Sequence, residues 1–284
     1  MSELKSITFN IFQWNTLNKR LSDKKGFPHV EDKFLEWEYR HPLIKKIIDE
    51  NKGDIICLEE VGDFEKDFKE EIFEKITIKY DVIYEARTSL FMGNVLAVNK
   101  ELFSIEKHEN IVLDGIDGKK SGQNMIYALI NDKKTNNKFI VLAVHLKAKA
   151  ENENIRISQV DHILKYIEEN LLGKYPIFII GDFNSEPTYT SMVKILENKN
   201  IGAKSLFDLK ELDFTTIKLR DVLYKRIIDY IIFIGKNKDD MDKELKVLNI
   251  EKGKPIIDEK IGLPNDAFPS DHLFLKAKVE LTFI

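Results

Sequence analysis

Eight polar side chains scattered along the chain could act together on a phosphate ester: Asn15, Glu60, His145, Asp182, Asn184, Asp229, Asp271 and His272. Each ends or borders a strand-like run, namely Phe9 to Trp14, Asp54 to Val61, Lys138 to Leu146, Pro176 to Phe183, Arg226 to Ile234 and His272 to Phe283. Polar residues at strand ends are where binding sites gather. Magnesium prefers hard oxygen ligands, keeps several waters and is commonly held by one or two protein carboxylates together with substrate phosphate. A metal with converging donors stabilises charge on the phosphate oxygens without a covalent intermediate, so the set reads as a one-metal phosphoesterase site. A serine hydrolase is set aside because no Gly-x-Ser-x-Gly elbow is present.

Spacing assigns further expectations. Glu60 follows the apolar run Ile55 to Leu58 and is the leading metal ligand; Glu59, its neighbour on a strand, should point to the opposite face and not be the ligand. Asp182 and Asn184 flank Phe183, so both can face one side of an extended segment while Phe183 points into the core. A carboxylate at Asp229 accepting from one imidazole nitrogen of His272 would fix the tautomer and favour the charged ring. His145 at its strand end is expected to be an exposed phosphate donor. Lys147, Lys149, Arg156, Lys218 and Arg220, with Arg226, are the basic residues nearest these motifs and could grip further phosphates.

The positioning elements are partly legible. Runs rich in Ile, Val and Phe predict strands at Ile7 to Trp14, Asp54 to Leu58, Tyr80 to Tyr84, Asn94 to Val98, Met125 to Asn131, Phe139 to His145, Ile177 to Ile180, Ile227 to Ile234 and Leu273 to Phe283. Apolar spacings of three and four make Asn154 to Leu172 an amphipathic helix, with His162 outside the stripe and therefore solvated. Helices are also predicted from Pro42 to Asn51, with proline in the first turn, and from Tyr189 to Lys199. Short connections between Tyr80 and Leu146 favour antiparallel pairing, which gives an α+β class.

The 284 residues contain no linker-like stretch and no repeat, so one domain over 1–284 is expected. A net charge of −4 provides no broad basic field, which disfavours a long duplex footprint. The one cysteine, Cys57, lies in an apolar run and reads as an inert core thiol in a reducing, cytoplasmic setting. No targeting peptide and no membrane span are expected, since no apolar stretch approaches roughly 20 residues.

Gln13-Trp14-Asn15-Thr16-Leu17, Cys57-Leu58-Glu59-Glu60-Val61, Gly181-Asp182-Phe183-Asn184 and Ser270-Asp271-His272, in this order, resemble the endonuclease/exonuclease/phosphatase superfamily across residues 7 to 283. Trp37-Glu38-Tyr39-Arg40, His145-Leu146-Lys147-Ala148 with Arg156, the run from Gly181 to Pro187, and Phe214-Thr215-Thr216 ahead of Ile228-Asp229-Tyr230-Ile231 make it most similar to the branch holding nocturnin and the carbon catabolite repressor deadenylases. The resemblance implies a four-layer α/β/β/α sandwich of two mixed sheets, of the DNase I type. It also implies Mg2+, with Mn2+ as a substitute, held by Asn15, Glu60 and Asp271, while His145, Asp182, Asn184, Asp229 and His272 are catalytic. The implied substrate is an adenine nucleotide or a single-stranded RNA 3′ end, hydrolysed as a dinucleotide 2′-phosphate or as 3′-terminal phosphodiester bonds. Other members of the superfamily act on inositol phosphates or abasic DNA, and a non-catalytic nucleotide-binding module is the alternative class. With no leucine-rich repeat to tether it to a deadenylase complex, the chain is expected to act as a monomer. Two departures stand out: Glu59 replaces the branch's usual glutamine, and Lys149 replaces the arginine of nocturnin-like sequences, which keeps the charge but loses a two-pronged grip.

Overall fold

The strand-forming runs pair into two six-stranded sheets and one hairpin in the computed structural model, which describes residues 5–76, 78–87, 91–237 and 241–283. In chain order the strands are β1 (Lys5–Asn15), β2 (Ile55–Val61), β3 (Tyr80–Ala86), β4 (Gly93–Asn99), β5 (Phe103–Asp114), β6 (Lys120–Asp132), β7 (Lys138–His145), β8 (Ile177–Asp182), β9 (Lys204–Ser205), β10 (Thr216–Leu219), β11 (Leu223–Arg226), β12 (Asp229–Ile234), β13 (Leu245–Lys252) and β14 (Leu275–Phe283). One sheet runs β13-β14-β1-β2-β4-β3 and the other β5-β6-β7-β8-β12-β9, while β10 and β11 form the hairpin. Both sheets are mixed, because β1 pairs β2 and β7 pairs β8 in parallel while their other neighbours are antiparallel.

The period of two along each strand explains the layering. Ile7, Phe9 and Ile11 of β1, Ile55 and Cys57 of β2, Val141 and Ala143 of β7, Phe178 and Ile180 of β8, and Ile231 and Phe233 of β12 pack together between the sheets. The alternate residues face outward. Phe12, Trp14, Ile56 and Leu58 meet Ile44 and Ile48 of α2 (Trp37–Asn51), which follows the short α1 (Asp32–Leu35). On the other side Ile140, Leu142, Val144, Ile177 and Ile179 meet Val160, Ile163, Leu164 and Ile167 of α3 (Glu153–Asn170), beside α4 (Thr190–Leu196). Each such fully buried aliphatic side chain contributes roughly 1.5 to 3 kcal/mol. The short α5 (Met241–Glu244) precedes β13. The result is the expected α/β/β/α sandwich.

Some elements differ from their sequence-based expectation. The second helix begins at Trp37, so Pro42 lies inside it; its missing N–H leaves only the carbonyl of exposed Glu38 without an intrahelical donor, a small loss at the water face. His162 is not solvated: its Nδ1 accepts the Asp114 N–H at 3.0 Å and tethers α3 to the end of β5. A π-helical segment at Phe64–Phe73 and the edge strands β5 and β13 escaped the sequence reading. Edge strands with mostly polar residues carry little apolar signal, and β5 exposes Glu106, Lys107 and His108 in succession beside a bulged ladder.

Registry brings the site residues to one end of the sandwich. The face of each strand that packs the core continues into polar side chains: Ile11 gives way to Gln13 and Asn15, Cys57 to Glu59, Ala143 to His145 and Ile180 to Asp182, while β12 starts on Asp229. Asp182 pairs His145 on one side and Asp229 on the other, and Asn15 pairs Glu59. Gly181 lets these strands approach, since a Cβ there would lie 1.9 Å from the Val144 carbonyl oxygen, and its φ of +147° is one that L side chains rarely adopt. Replacing Gly181 with alanine should therefore destabilise the fold by about 3 kcal/mol or more. Chemical denaturation would check this; an unchanged midpoint would show that the strands can part at no cost.

Candidate active site

Asp229 and His272 form the centre. His272 Nδ1 lies 3.0 Å from Asp229 Oδ2 and 3.2 Å from Oδ1, and both residues are buried. The carboxylate is held by more than the ring. Thr215 Oγ1 donates to Oδ2 at 2.7 Å, and Gln13 Nε2 donates to Oδ1 at 3.0 Å. Burial pushes the imidazole pKa down, but the charges of Asp229, Asp182 and Asp271 outweigh it and lift His272 to about 10. The ring is thus an imidazolium with its tautomer question removed, and Nε2 turns toward Asp182, 3.9 Å from Oδ2. The segment carrying His272 is sewn to β1 by the Trp14 indole donating to the His272 carbonyl at 2.7 Å and by the Ser270 hydroxyl donating to the Asn15 carbonyl at 2.7 Å.

Asp182 is the second anchor. Burial and the neighbouring Asp229 charge raise its carboxyl to about 7, against the opposing pull of His272 and of Asn15, whose Nδ2 donates to Oδ2 at 3.0 Å. Asn184 does not continue an extended segment as the spacing suggested. It has a φ of +51°, and its backbone N–H returns to Asp182 Oδ1 at 2.7 Å, a local turn of the kind Asp favours. Its amide nevertheless reaches back to the Leu146 carbonyl at 3.1 Å, and Phe183 fills the core against Tyr230.

His145 is buried rather than exposed. Burial, Arg87 and His272 hold its pKa well below the usual histidine value, so it is neutral, with Nε2 3.5 Å from Asp182 Oδ2. Its Nδ1 is buried without a hydrogen-bond partner among the described residues. Arg87, which sequence reading missed, donates to the His145 carbonyl at 3.3 Å and feels Glu60, Asp182 and Glu59. The sequence signal for Arg87 is weak, because it follows β3 in a segment with no motif.

Glu59 and Glu60 diverge at a bulge in the β2–β4 ladder, where Glu60 takes a φ of +59°. Glu60 is half-buried and accepts the Asn18 N–H at 3.0 Å. Glu59 turns inward and accepts from Gln13 at 2.8 Å; burial, Asp229 and Asp182 raise its carboxyl well above the usual range. The period of two from Ile55 and Cys57 already marked Glu59 as a core-facing residue, and Gln13 likewise follows from Phe9 and Ile11.

Asp182, Asp229 and His272 have ligand atoms within 4.8 Å of one another, the one group of this kind among the described residues. Glu60 and Asp271, expected as metal ligands, lie outside it but act together on buried Arg40, whose own pKa burial lowers to about 10 against their opposing pull. Asn15 joins the group through Asp182 while its Oδ1 accepts the Leu17 N–H at 3.0 Å. His272 offers a ring nitrogen that is already protonated, so the oxygens of Asp182 and Asp229 are the hard donors of this group, and the raised Asp182 carboxyl marks a surplus of buried negative charge that a divalent cation would relieve.

The basic residues divide. Lys218 lies beside the site, with Nζ 3.5 Å from Asp271 Oδ2 and over the Phe27 ring; although burial pushes the Asp271 carboxyl up, Lys218 and His272 hold it below the usual range. Lys147 is half-buried just after His145, and its Nζ has no partner among the described residues. Lys149 is exposed with a φ of +77°. Arg156 is not a substrate group: it is fully buried, and its guanidinium bonds Glu153 and the carbonyls of Lys147, Lys149 and Ala150. It shapes the loop that presents Lys147 instead. Arg220 is exposed at the hairpin turn, where its carbonyl meets the His29 ring, and the structure gives it no contact with the site. Cys57 is buried, with its thiol pushed up by burial and by Glu59, as expected of an inert core residue.

A profile of the endonuclease/exonuclease/phosphatase family matches residues 12–273. Human nocturnin is 26% identical over 96% of this chain and 65% of its own length. A probable CCR4-Not complex 3′-5′-exoribonuclease subunit Ccr4 of Vairimorpha ceranae is 26% identical over 98% of this chain and 65% of its own length, so the chain spans under two thirds of both relatives. Among solved structures, that of ANGEL2, a 2′,3′-cyclic phosphatase, in complex with adenosine-2′,3′-vanadate superposes with a TM-score of 0.80 at 20% identity, covering 99% of each chain.

The geometry at Asp229 yields a test. Asp229→Asn should lower turnover by orders of magnitude with little change in substrate affinity, because it removes the charge that keeps the His272 ring protonated rather than a substrate contact. Sign follows directly: without that anion, burial prevails and the His272 pKa falls. Histidine NMR would register the fall, and a variant whose sole defect is a higher KM would contradict the role.

Proposed function

The chain belongs to the endonuclease/exonuclease/phosphatase family, and from that premise we propose that it is a magnesium-dependent phosphoesterase acting on adenine nucleotides or RNA 3′ ends. The carrying observation is the buried group of Asp182, Asp229 and His272, with a charged imidazolium and a carboxyl near 7 facing one another. Among the described residues no helix is long and apolar enough to cross a membrane, which agrees with a water-borne substrate.

Each group then has a role. Glu60 would be the principal Mg2+ ligand, with Asn15 and Asp271 supplying the rest of the protein's share and Mn2+ as a substitute. When bound, the cation polarises a phosphate oxygen and offsets its charge. Asp182 accepts a proton from the attacking water, to which its raised pKa is suited. His272, kept charged by Asp229, donates from Nε2 to a phosphate oxygen, and the Asn184 amide and His145 complete the donors around it. Lys147, Lys218 and Arg87 supply positive charge for phosphates that are not cleaved, with Lys149 at the exposed rim. The likeness to the probable 3′-5′-exoribonuclease subunit of Vairimorpha ceranae supports the RNA end of this range.

A substrate panel with Mg2+ tests the reading: NADP, oligo(A) RNA, 2′,5′-linked oligoadenylate, RNA ending in a cyclic phosphate, an abasic duplex and an inositol polyphosphate. Hydrolysis of one of the first four, abolished by chelation, is expected. Cleavage confined to the last two would overturn the substrate assignment, and inertness toward all six would overturn the activity.

Glu60→Ala should abolish this turnover and leave the circular dichroism spectrum unchanged; most of the wild-type rate at saturating Mg2+ would remove Glu60 as the principal ligand. Lys147→Ala should weaken a compact multi-phosphate substrate such as NADP by about 1.5 to 3 kcal/mol, the usual cost of a lost charged hydrogen bond, and a longer RNA by less. Equal KM values for NADP in variant and wild type would mark Lys147 as a solvated surface charge.

A further inference from the structure

Behind the Asp229 and His272 pair lies a second buried polar layer that hydrolysis itself does not touch. Gln13 and Glu59 come from adjacent parallel strands, with Gln13 opposite Cys57 and Asn15 opposite Glu59. Gln13 is fully buried, and both hydrogens of its Nε2 are committed, one to Glu59 Oε2 at 2.8 Å and one to Asp229 Oδ1 at 3.0 Å. The second bond crosses from one sheet to the other and joins residues 216 apart in sequence.

The geometry points to Gln13 as a positioning residue for the proposed hydrolysis, gripped by Glu59, that fixes the plane of the Asp229 carboxylate and through it the His272 ring. A carboxylate turns easily about its last side-chain bond, because that torsion is broad. Thr215 Oγ1 on Oδ2 fixes one corner, and this hydroxyl is itself held by accepting the N–H groups of Ile228 and Asp229 at 3.0 and 3.1 Å. Gln13 on Oδ1 fixes the other corner from the opposite sheet, so the carboxylate plane presented to His272 Nδ1 is set by both sheets together. In this orientation the amide nitrogen meets both carboxyl groups, while its Oε1 is buried without a partner among the described residues. Gly181 shapes the space for the grip: a Cβ there would come within 3.2 Å of Glu59 Oε1.

The assignment rests on the hydrolase reading of this site, so its test follows the ring as well as turnover. Gln13→Met keeps the side-chain length and removes both donors. With the substrate that the wild type hydrolyses fastest, kcat should fall roughly 10- to 100-fold, the range seen when an outer hydrogen-bond partner is lost, with KM within about twofold. In an Asp229→Asn background the same substitution should add no further loss, because its effect runs through Asp229. Independently of turnover, the His272 Nδ1 proton resonance, expected far downfield in the wild type, should move upfield or broaden in Gln13→Met. Glu59→Gln keeps an acceptor for the amide and should match the wild type, whereas Glu59→Leu should shift kcat and the resonance as Gln13→Met does, which keeps the question decidable if Gln13→Met fails to fold. Unchanged kcat and an unchanged resonance in the folded variants would overturn the positioning role, as would a full-sized loss in the Asp229→Asn background. A wild type inert toward every substrate would instead remove the hydrolase reading, and the resonance would still decide whether Gln13 positions the ring.

Discussion

Burying several carboxyl groups in one place is the constraint around which the rest of the structure is arranged. Glu59, Asp182 and Asp229 lie within mutual electrostatic reach and away from water, and Glu59 and Asp182 are each disfavoured as an anion by burial and by their neighbours. Taking a charge out of water costs several kcal/mol unless it is paired and hydrogen-bonded. The fold answers with His272, whose charge is sustained by the same carboxylates, and with Arg87 and Lys218 at the edge. Such a balance requires groups from both sheets, so the site exists only because the two sheets are stacked in one register.

Buried arginines extend this logic to the loops. Arg40 is fully buried and gives its guanidinium to the carbonyls of Thr16, Leu17 and Pro269, binding the end of β1 to the segment before His272. Arg156 does the same for the loop at Lys147. Guanidinium suits this task because its donors are rigid and its charge persists on burial. Arg156, which looks like a phosphate grip in sequence, is in the fold an organiser of backbone, as Arg40 is.

Much of this was legible in the sequence, and for identifiable reasons. The strand runs at Ile7 to Trp14 and Phe139 to His145 carry strong apolar signals, and His145, Asp182, Asp229 and His272 sit at their ends or partners' ends. What stayed hidden depends on side-chain contacts that no strand or helix periodicity encodes. Arg156 lies near the right motif, but only the tertiary structure reveals four acceptors closing around it. Glu59 was expected on the face away from the site, whereas β2 delivers it inward to Gln13, beside Asp229 and Asp182, contacts that nothing local indicates. Asn184 failed through turn chemistry: the Asp182 side chain captures its N–H and bends the strand end that spacing alone would keep straight.

The position of β14 has a consequence for biosynthesis. This strand pairs β1 on one side and β13 on the other, so the segment made late occupies an interior slot beside the strand made first. Until Ser270, Asp271 and His272 have left the ribosome and β14 has inserted, β1 presents an open edge and Asp229 has no imidazole to face. Folding of this sheet is thus completed only after β2 to β13 have been translated, and no nascent fragment that stops short of β14 can hold the assembled site.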